Sequence, residues 1–234
     1  MINVELALRV FNEMMEDLID NYNFDDFLSR PRRESSEFGA WAGENFNTAC
    51  DVWCSNGSWA GATCNGFKYL VSNGCCRFIL GNNDYPFVFK ADFGDDDRYC
   101  SAEEANYEMA LTEGVEDRFA EIHYLTVFEG FTFYVMEKAD CDYDDICSEM
   151  QDILVDTALE DGEYDGDEEF ARNEIYWTGD SDRVDEFFET IMDCQEYHHW
   201  SAFCSDNRIT DIHAGNIGKI DGRWVVIDYA GYFG

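Results

Sequence analysis

Cations are what this sequence has least of. Only 15 of 234 residues are Lys or Arg, against 51 Asp or Glu, so the formal charge at pH 7 is −36 and the pI about 4.1. Lysine occurs only at Lys68, Lys90, Lys138 and Lys219. Gripping a nucleic-acid backbone needs Lys and Arg to neutralise phosphates, so no direct nucleic-acid binding is expected. The same shortage argues against attraction to an anionic membrane surface. Long apolar runs are missing too: the apolar stretches are a few residues, whereas crossing a bilayer takes about 20. The start, Met1-Ile2-Asn3-Val4-Glu5, has no basic segment followed by an apolar one. No export signal is therefore expected, and the expected location is cytoplasmic. A chain this acidic is expected to stay soluble and to meet basic partners.

What is present is enough apolar material for a real core. Hydrophobic residues make up 46% and aromatics 16% of the chain, which excludes global disorder and suits one mid-sized domain or two lobes. Ten cysteines are many, yet in a chain without an export signal they read as reduced. Cys50 and Cys54 are spaced C-x3-C, Cys64 follows, and Cys75-Cys76 are adjacent. None of this repeats a C-x2-C pair at zinc-site spacing, so buried free thiols are expected, with a structural zinc as the minor alternative.

The spacing of Val4, Leu8, Phe11, Met15 and Leu18 predicts an amphipathic helix over the first twenty residues. Residues 29–66, rich in Ser, Gly, Asn and Trp and carrying Arg30-Pro31-Arg32-Arg33, read as irregular structure, so 1–65 form an N-terminal helix and extension. From Gly66 the runs Phe67–Val71, Arg77–Leu80 and Pro86–Lys90 alternate with turn residues and predict an antiparallel meander. A helix over about Ala102–Thr112 follows, with Ser101 as its cap and Glu104 three residues on. Two strands near Ile122–Phe128 and Phe131–Met136, joined by Glu129-Gly130, complete a unit spanning 66–138. The remainder, 139–234, is sharply acidic: between Asp140 and Asp193 stand 21 Asp or Glu with only Arg172 and Arg183 as cations. Apolar residues still recur there (Ile146, Met150, Leu154, Val184, Phe187), so helices flank a solvated acidic loop near Glu160–Glu169. That loop does not fit the twelve-residue calcium pattern.

Chemistry concentrates at the end of the chain. Asp211-Ile212-His213-Ala214-Gly215-Asn216 spells D-x-H-x-G-N, a hairpin turning on Asp221-Gly222 follows, and the strand Trp224–Ile227 closes on Asp228. A hairpin brings two carboxylates and an amide oxygen together as hard ligands for Mg2+, leaving one carboxylate for a substrate hydroxyl.

This pattern resembles the catalytic loop and metal-binding Asp of the protein-kinase-like superfamily, nearest to aminoglycoside-phosphotransferase-like enzymes and the small serine/threonine kinases of T7-like bacteriophages. The resemblance implies Asp211 as catalytic base, with Asn216 and Asp228 as metal ligands. Asp228-Tyr229-Ala230-Gly231 stands where kinases have D-F-G, with one extra residue before the Gly. Ile209 stands where the usual His or Tyr precedes the catalytic Asp, and His213 follows it instead, as in small-molecule kinases. The likeness also implies that Lys90, ending the third strand, grips the ATP phosphates and is oriented by a helix carboxylate. Glu104 is the choice for that carboxylate, with Glu103 and Glu108 as close rivals. The turn carrying Gly74 and Arg77 stands at the phosphate loop, with one glycine instead of three. Glu137 and Ala139 stand where backbone groups receive adenine.

The expected architecture is therefore α+β and two-lobed, a five-stranded antiparallel lobe followed by a reduced, mainly helical one. The expected activity is Mg2+-dependent transfer from ATP to a hydroxyl, preferably of a basic protein substrate. Six residues follow Asp228 in this sequence, so no counterpart of the kinase segment that docks peptides is expected, which keeps a small-molecule kinase as an alternative. A compact acidic kinase of this type suits a bacteriophage or effector protein acting in a host cytoplasm. The competing class is an acidic binding or inhibitor protein, a charge mimic or pseudokinase occupying a basic host protein.

Overall fold

The computed structural model describes residues 1–29, 34–45, 69–74, 76–93, 97–175 and 180–231. The chain divides into two compact units. The first comprises Met1–Thr112 with Ala120–Lys138, the second Glu113–Phe119 with Ala139–Gly234. The fold is α+β, with a five-stranded antiparallel sheet and several helices.

The first unit begins with α1 (Val4–Tyr22), capped by the Asn3 side chain, which accepts from the Leu6 amide. Its buried stripe is Ala7, Val10, Phe11, Met14, Met15 and Leu18. Val4 and Leu8, expected inside, are 38% exposed, because Ala7, Val10 and Met14 complete a better three- and four-residue spacing around Phe11. α2 (Phe24–Leu28) and α3 (Ser35–Asn45) follow. Residues 35–45 are thus helical where irregular structure was expected. Phe38, Trp41 and Ala42 supply the buried face, and Trp41 Nε1 donates to the Tyr22 carbonyl at 2.8 Å. Arg30 to Arg33, and the expected strand start at Phe67-Lys68, lie outside the described residues.

The sheet comprises β1 (Tyr69–Asn73), β2 (Arg77–Asn82), β3 (Phe87–Asp92), β4 (Ile122–Phe128) and β5 (Phe131–Glu137), in the order β1-β2-β3-β5-β4. The helix α4 (Arg98–Glu113) is inserted between β3 and β4. Every residue of β3 is buried, because the strand sits mid-sheet with both faces covered. Phe87, Phe89 and Ala91 join the core built with α1, α2 and α3. The alternate residues Val88, Lys90 and Asp92 face the other way. The packing on the first face is aromatic: Phe11 lies 5.2 Å from Phe89 and 4.7 Å from Phe133, and Phe38 lies 4.8 Å from Phe78, between ring centroids. The β4–β5 hairpin turns on Glu129 (φ 48°) and Gly130 (φ 81°), the mirror-image turn that suits strand twist.

In the second unit, α5 (Tyr143–Glu160), α6 (Glu168–Glu174), α7 (Ser181–Ile191) and α8 (Cys194–Asp206) are each capped by an aspartate: Asp142, Asp167, Asp180 and Asp193. Part of the acidity is therefore local structure, since these carboxylates satisfy first-turn amides and face the positive ends of the helices. Val184, Phe187, Phe188, Trp200 and Phe203 are buried beneath them. The hairpin β6 (Ile217–Ile220) and β7 (Arg223–Val226) turns on Asp221 (φ 51°) and Gly222 (φ 82°). It is tied to the start of the unit by a two-way bridge, in which the Lys219 and Asp140 amides each donate to the other's carbonyl at 2.8 Å. Gly218 permits that approach, because a Cβ there would stand 2.7 Å from the Cβ of Ala139.

Of the six cysteines among the described residues, Cys100 and Cys204 are buried, Cys76, Cys141 and Cys147 half-buried, and Cys194 exposed. The expectation of buried thiols therefore holds for two positions, and Cys50, Cys54, Cys64 and Cys75 lie outside the described residues. No helix among the described residues is long and apolar enough to cross a membrane.

Candidate functional site

The residues singled out by the sequence fall into two groups, one in each unit. In the first, Lys90 occupies the fourth position of β3 and is 1% exposed. Its Nζ lies 2.8 Å from both oxygens of Glu103, which is fully buried on α4. The carboxylate that meets Lys90 is thus Glu103, a rival in the sequence, and not Glu104. Helical phase explains the correction: Cys100, Glu103, Asn106, Tyr107 and Ala110 form the buried stripe of α4, and Glu104 lies beside it. Glu104 instead accepts the backbone amide of Tyr124 on the edge strand β4, which blunts that edge against pairing. Glu108 is exposed.

Arg77 departs from expectation as well. It opens β2, is 7% exposed, and its Nη1 donates to Glu103 Oε1 at 2.7 Å, so its guanidinium belongs to the buried pair and not to the turn. The Gly74 amide donates to the Arg77 carbonyl at 2.9 Å and closes that turn.

The helix start is set by Asp92 and not by Ser101. As the last residue of β3, Asp92 accepts from the amides of Tyr99 at 2.7 Å and Cys100 at 3.2 Å, so the helix begins at Arg98. Burial raises the Asp92 carboxyl above its ordinary value, although the Cys100 thiol, these amides and Arg77 pull the other way. The Cys100 thiol donates to Asp92 Oδ1 at 3.0 Å. Burial first, then the neighbouring Glu103 and Asp92, push that thiol far up, so it is a protonated donor and not a nucleophile. At the end of β5, the Glu137 amide donates to the Glu121 carbonyl at 2.9 Å and the Lys138 amide to the Pro86 carbonyl at 3.0 Å. Ala139 opens the main stretch of the second unit.

In the second unit, Asp211 lies on the loop after α8 with its side chain 57% exposed. Asn216 ends the short 3-10 turn at 214–216 and is 1% exposed. Its Nδ2 donates to the Asp211 carbonyl at 2.7 Å. A carbonyl can only accept, so the amide orientation is fixed and Oδ1 is the atom left over, buried and without a hydrogen-bond partner. The Ile227 amide donates to the Asn216 carbonyl at 2.8 Å, which brings the backbone beside Asp228 to the same loop. His213 Nδ1 accepts from the Gly215 amide at 3.1 Å, and its Nε2 lies 3.8 Å from Asp211 Oδ1. The 3-10 turn thus holds Asp211, His213 and Asn216 together through bonds between side chains and backbone.

The leftover Asn216 oxygen is of the hard type that a divalent cation such as Mg2+ takes as a ligand. A buried amide oxygen without a donor is costly unless something electropositive meets it. Among the described residues no three His, Cys, Asp or Glu converge as a metal cage. Of the two ligands expected from the sequence, Asn216 offers that buried oxygen, and the hydrogen bond from the Ile227 amide ties the backbone next to Asp228 to the same residue; Mg2+ takes few protein oxygens and completes its shell with water and phosphate. Compared with known proteins, the chain matches no family model and no curated protein.

Proposed function

We propose that the protein is a Mg2+-dependent phosphotransferase that moves the γ-phosphoryl group of ATP to a hydroxyl, by preference on a basic protein. The observation that carries this reading is the buried Lys90–Glu103 pair, set on β3 and on the helix inserted between β3 and β4. The strand order β1-β2-β3-β5-β4 supports the same likeness to the protein-kinase-like superfamily.

Phosphoryl transfer asks a protein for positioning and charge neutralisation and for little covalent chemistry. Lys90 supplies the cation for the phosphates, and Glu103 keeps its flexible stem in place. Asn216 and Asp228 would hold Mg2+, which supplies neutralisation of the polyphosphate charge. Asp211, exposed on its loop, accepts the proton of the acceptor hydroxyl. Backbone groups of Glu137 to Ala139 would receive the adenine, and the Gly74 turn would serve the phosphates.

The test is label transfer from γ-labelled ATP to a basic protein acceptor with Mg2+ present. Transfer is expected from the wild type, with a loss of about 10²-fold or more in Lys90→Met and in Asp228→Ala. Full transfer in both variants refutes the assignment. The charge of −36 favours a second reading, an acidic protein that occupies a basic groove on its partner.

A further inference from the structure

We propose that Arg77 is the positioning residue of the Lys90–Glu103 pair, and that it locks α4 in the competent arrangement before any ligand arrives. The proposal rests on the reading of Lys90 as the phosphate-binding cation. Glu103 Oε1 accepts from both Arg77 Nη1 at 2.7 Å and Lys90 Nζ at 2.8 Å. A lysine that turns toward phosphates loosens its hold on the carboxylate, and a buried carboxylate left alone is costly. Arg77 keeps Glu103 compensated while Lys90 changes partners. Arginine suits this role, because its planar fork is directional where a lysine is a mobile point charge.

The same arginine fastens the helix a second time. Its guanidinium carbon lies 5.4 Å from the centre of the Tyr99 ring, in the first turn of α4. Asp92, paired in register with Arg77 across β2 and β3, holds the Tyr99 and Cys100 amides. The strand ends therefore grip α4 by a ring, by two amides and by a carboxylate one turn further on. Swinging α4 away would withdraw Glu103 from two cations whose side chains are 8% and 1% exposed. A switch that works by displacing this helix is accordingly closed to the protein, and the pair is assembled constitutively.

The experiment compares the full-length wild type, Arg77→Met and Arg77→Lys by amide hydrogen exchange without nucleotide, and by label transfer at a temperature where all are folded. In Arg77→Met the amides of α4 are expected to exchange about tenfold faster or more, with α1 unchanged. Turnover is expected to fall about 10²-fold with the acceptor KM unchanged, and Arg77→Lys to recover part of both. Unchanged exchange of α4 in Arg77→Met overturns the proposal, whatever happens to turnover. If Arg77→Met does not fold, Arg77→Lys decides: its α4 must exchange faster than the wild type's, and equality overturns the proposal. A wild type that transfers no label refutes the phosphotransferase reading, while the exchange data still decide whether Arg77 locks the helix.

Discussion

Replacing Glu103 with glutamine tests the electrostatics of the first unit at its centre. The substitution keeps the shape of the side chain but deletes the charge that Arg77 and Lys90 share. Both cations stay buried, and breaking a buried pair from one side costs about 3–5 kcal/mol. Each kcal/mol moves the melting temperature of a chain this size by about 2–4 °C, so Glu103→Gln is expected to melt about 6–20 °C below the wild type. Lys90→Met is expected to cost less, because Arg77 remains on Glu103. Glu104→Gln puts at risk only one edge hydrogen bond to Tyr124, worth about 1 kcal/mol. The assay is thermal unfolding followed by near-ultraviolet circular dichroism, which reports the aromatic core beside the sheet. A Glu104→Gln protein as destabilised as Glu103→Gln refutes the reasoning, and so does a Lys90→Met protein that is worse than either.

Two further outcomes are expected. Asp211→Asn changes the total charge by one unit in 36, yet it is expected to abolish label transfer, whereas neutralising several acids within Glu160–Glu169 leaves transfer intact; under the charge-mimic reading these effects on the protein's activity are reversed, and added salt disables the wild type. Asp92 gives a pH signature. Because burial raises its carboxyl in the folded state, the folded protein holds that proton more tightly than the unfolded chain, and this group adds stability as pH falls and withdraws it as pH rises. Urea unfolding of wild type and Asp92→Asn should therefore show the wild type gaining on the variant as pH drops from about 7 toward about 4; a wild type that loses ground refutes the assigned direction.

The sheet was legible because its strands are short aromatic and branched runs separated by turn residues, and the Glu129-Gly130 and Asp221-Gly222 turns carry their own conformational demand. α3 was not, because Phe38, Trp41 and Ala42 are few anchors in a Ser- and Gly-rich stretch, and only the tertiary core recruits them. The sequence points to a later start for α4 than Arg98, because the cap, Asp92, sits at the end of a strand and not at the adjoining position. The choice between Glu103 and Glu104 was open to a phase argument: Cys100, Tyr107 and Ala110 mark the buried face, and Glu103 falls on it. The D-x-H-x-G-N spacing drew attention to a single loop, and that loop does join Asp211 to Asn216 by hydrogen bond. What no spacing reveals is that Asn216 Oδ1 is buried and left over.

The aromatic layer under the sheet has a consequence for the timing of synthesis. Phe11 of α1 packs on Phe89, Phe128 and Phe133, and Phe27 of α2 on Phe78 and Phe131. Its partners on β4 and β5 are made last. After α3 leaves the ribosome, roughly ninety more residues are needed to finish β5, about 5–20 s at ordinary elongation rates. Through that interval the apolar faces of α1 to α3 have at most the first three strands, β1 to β3, to cover. Nascent chains stalled before β4 should therefore bind chaperones and aggregate, and release of β5 should end both.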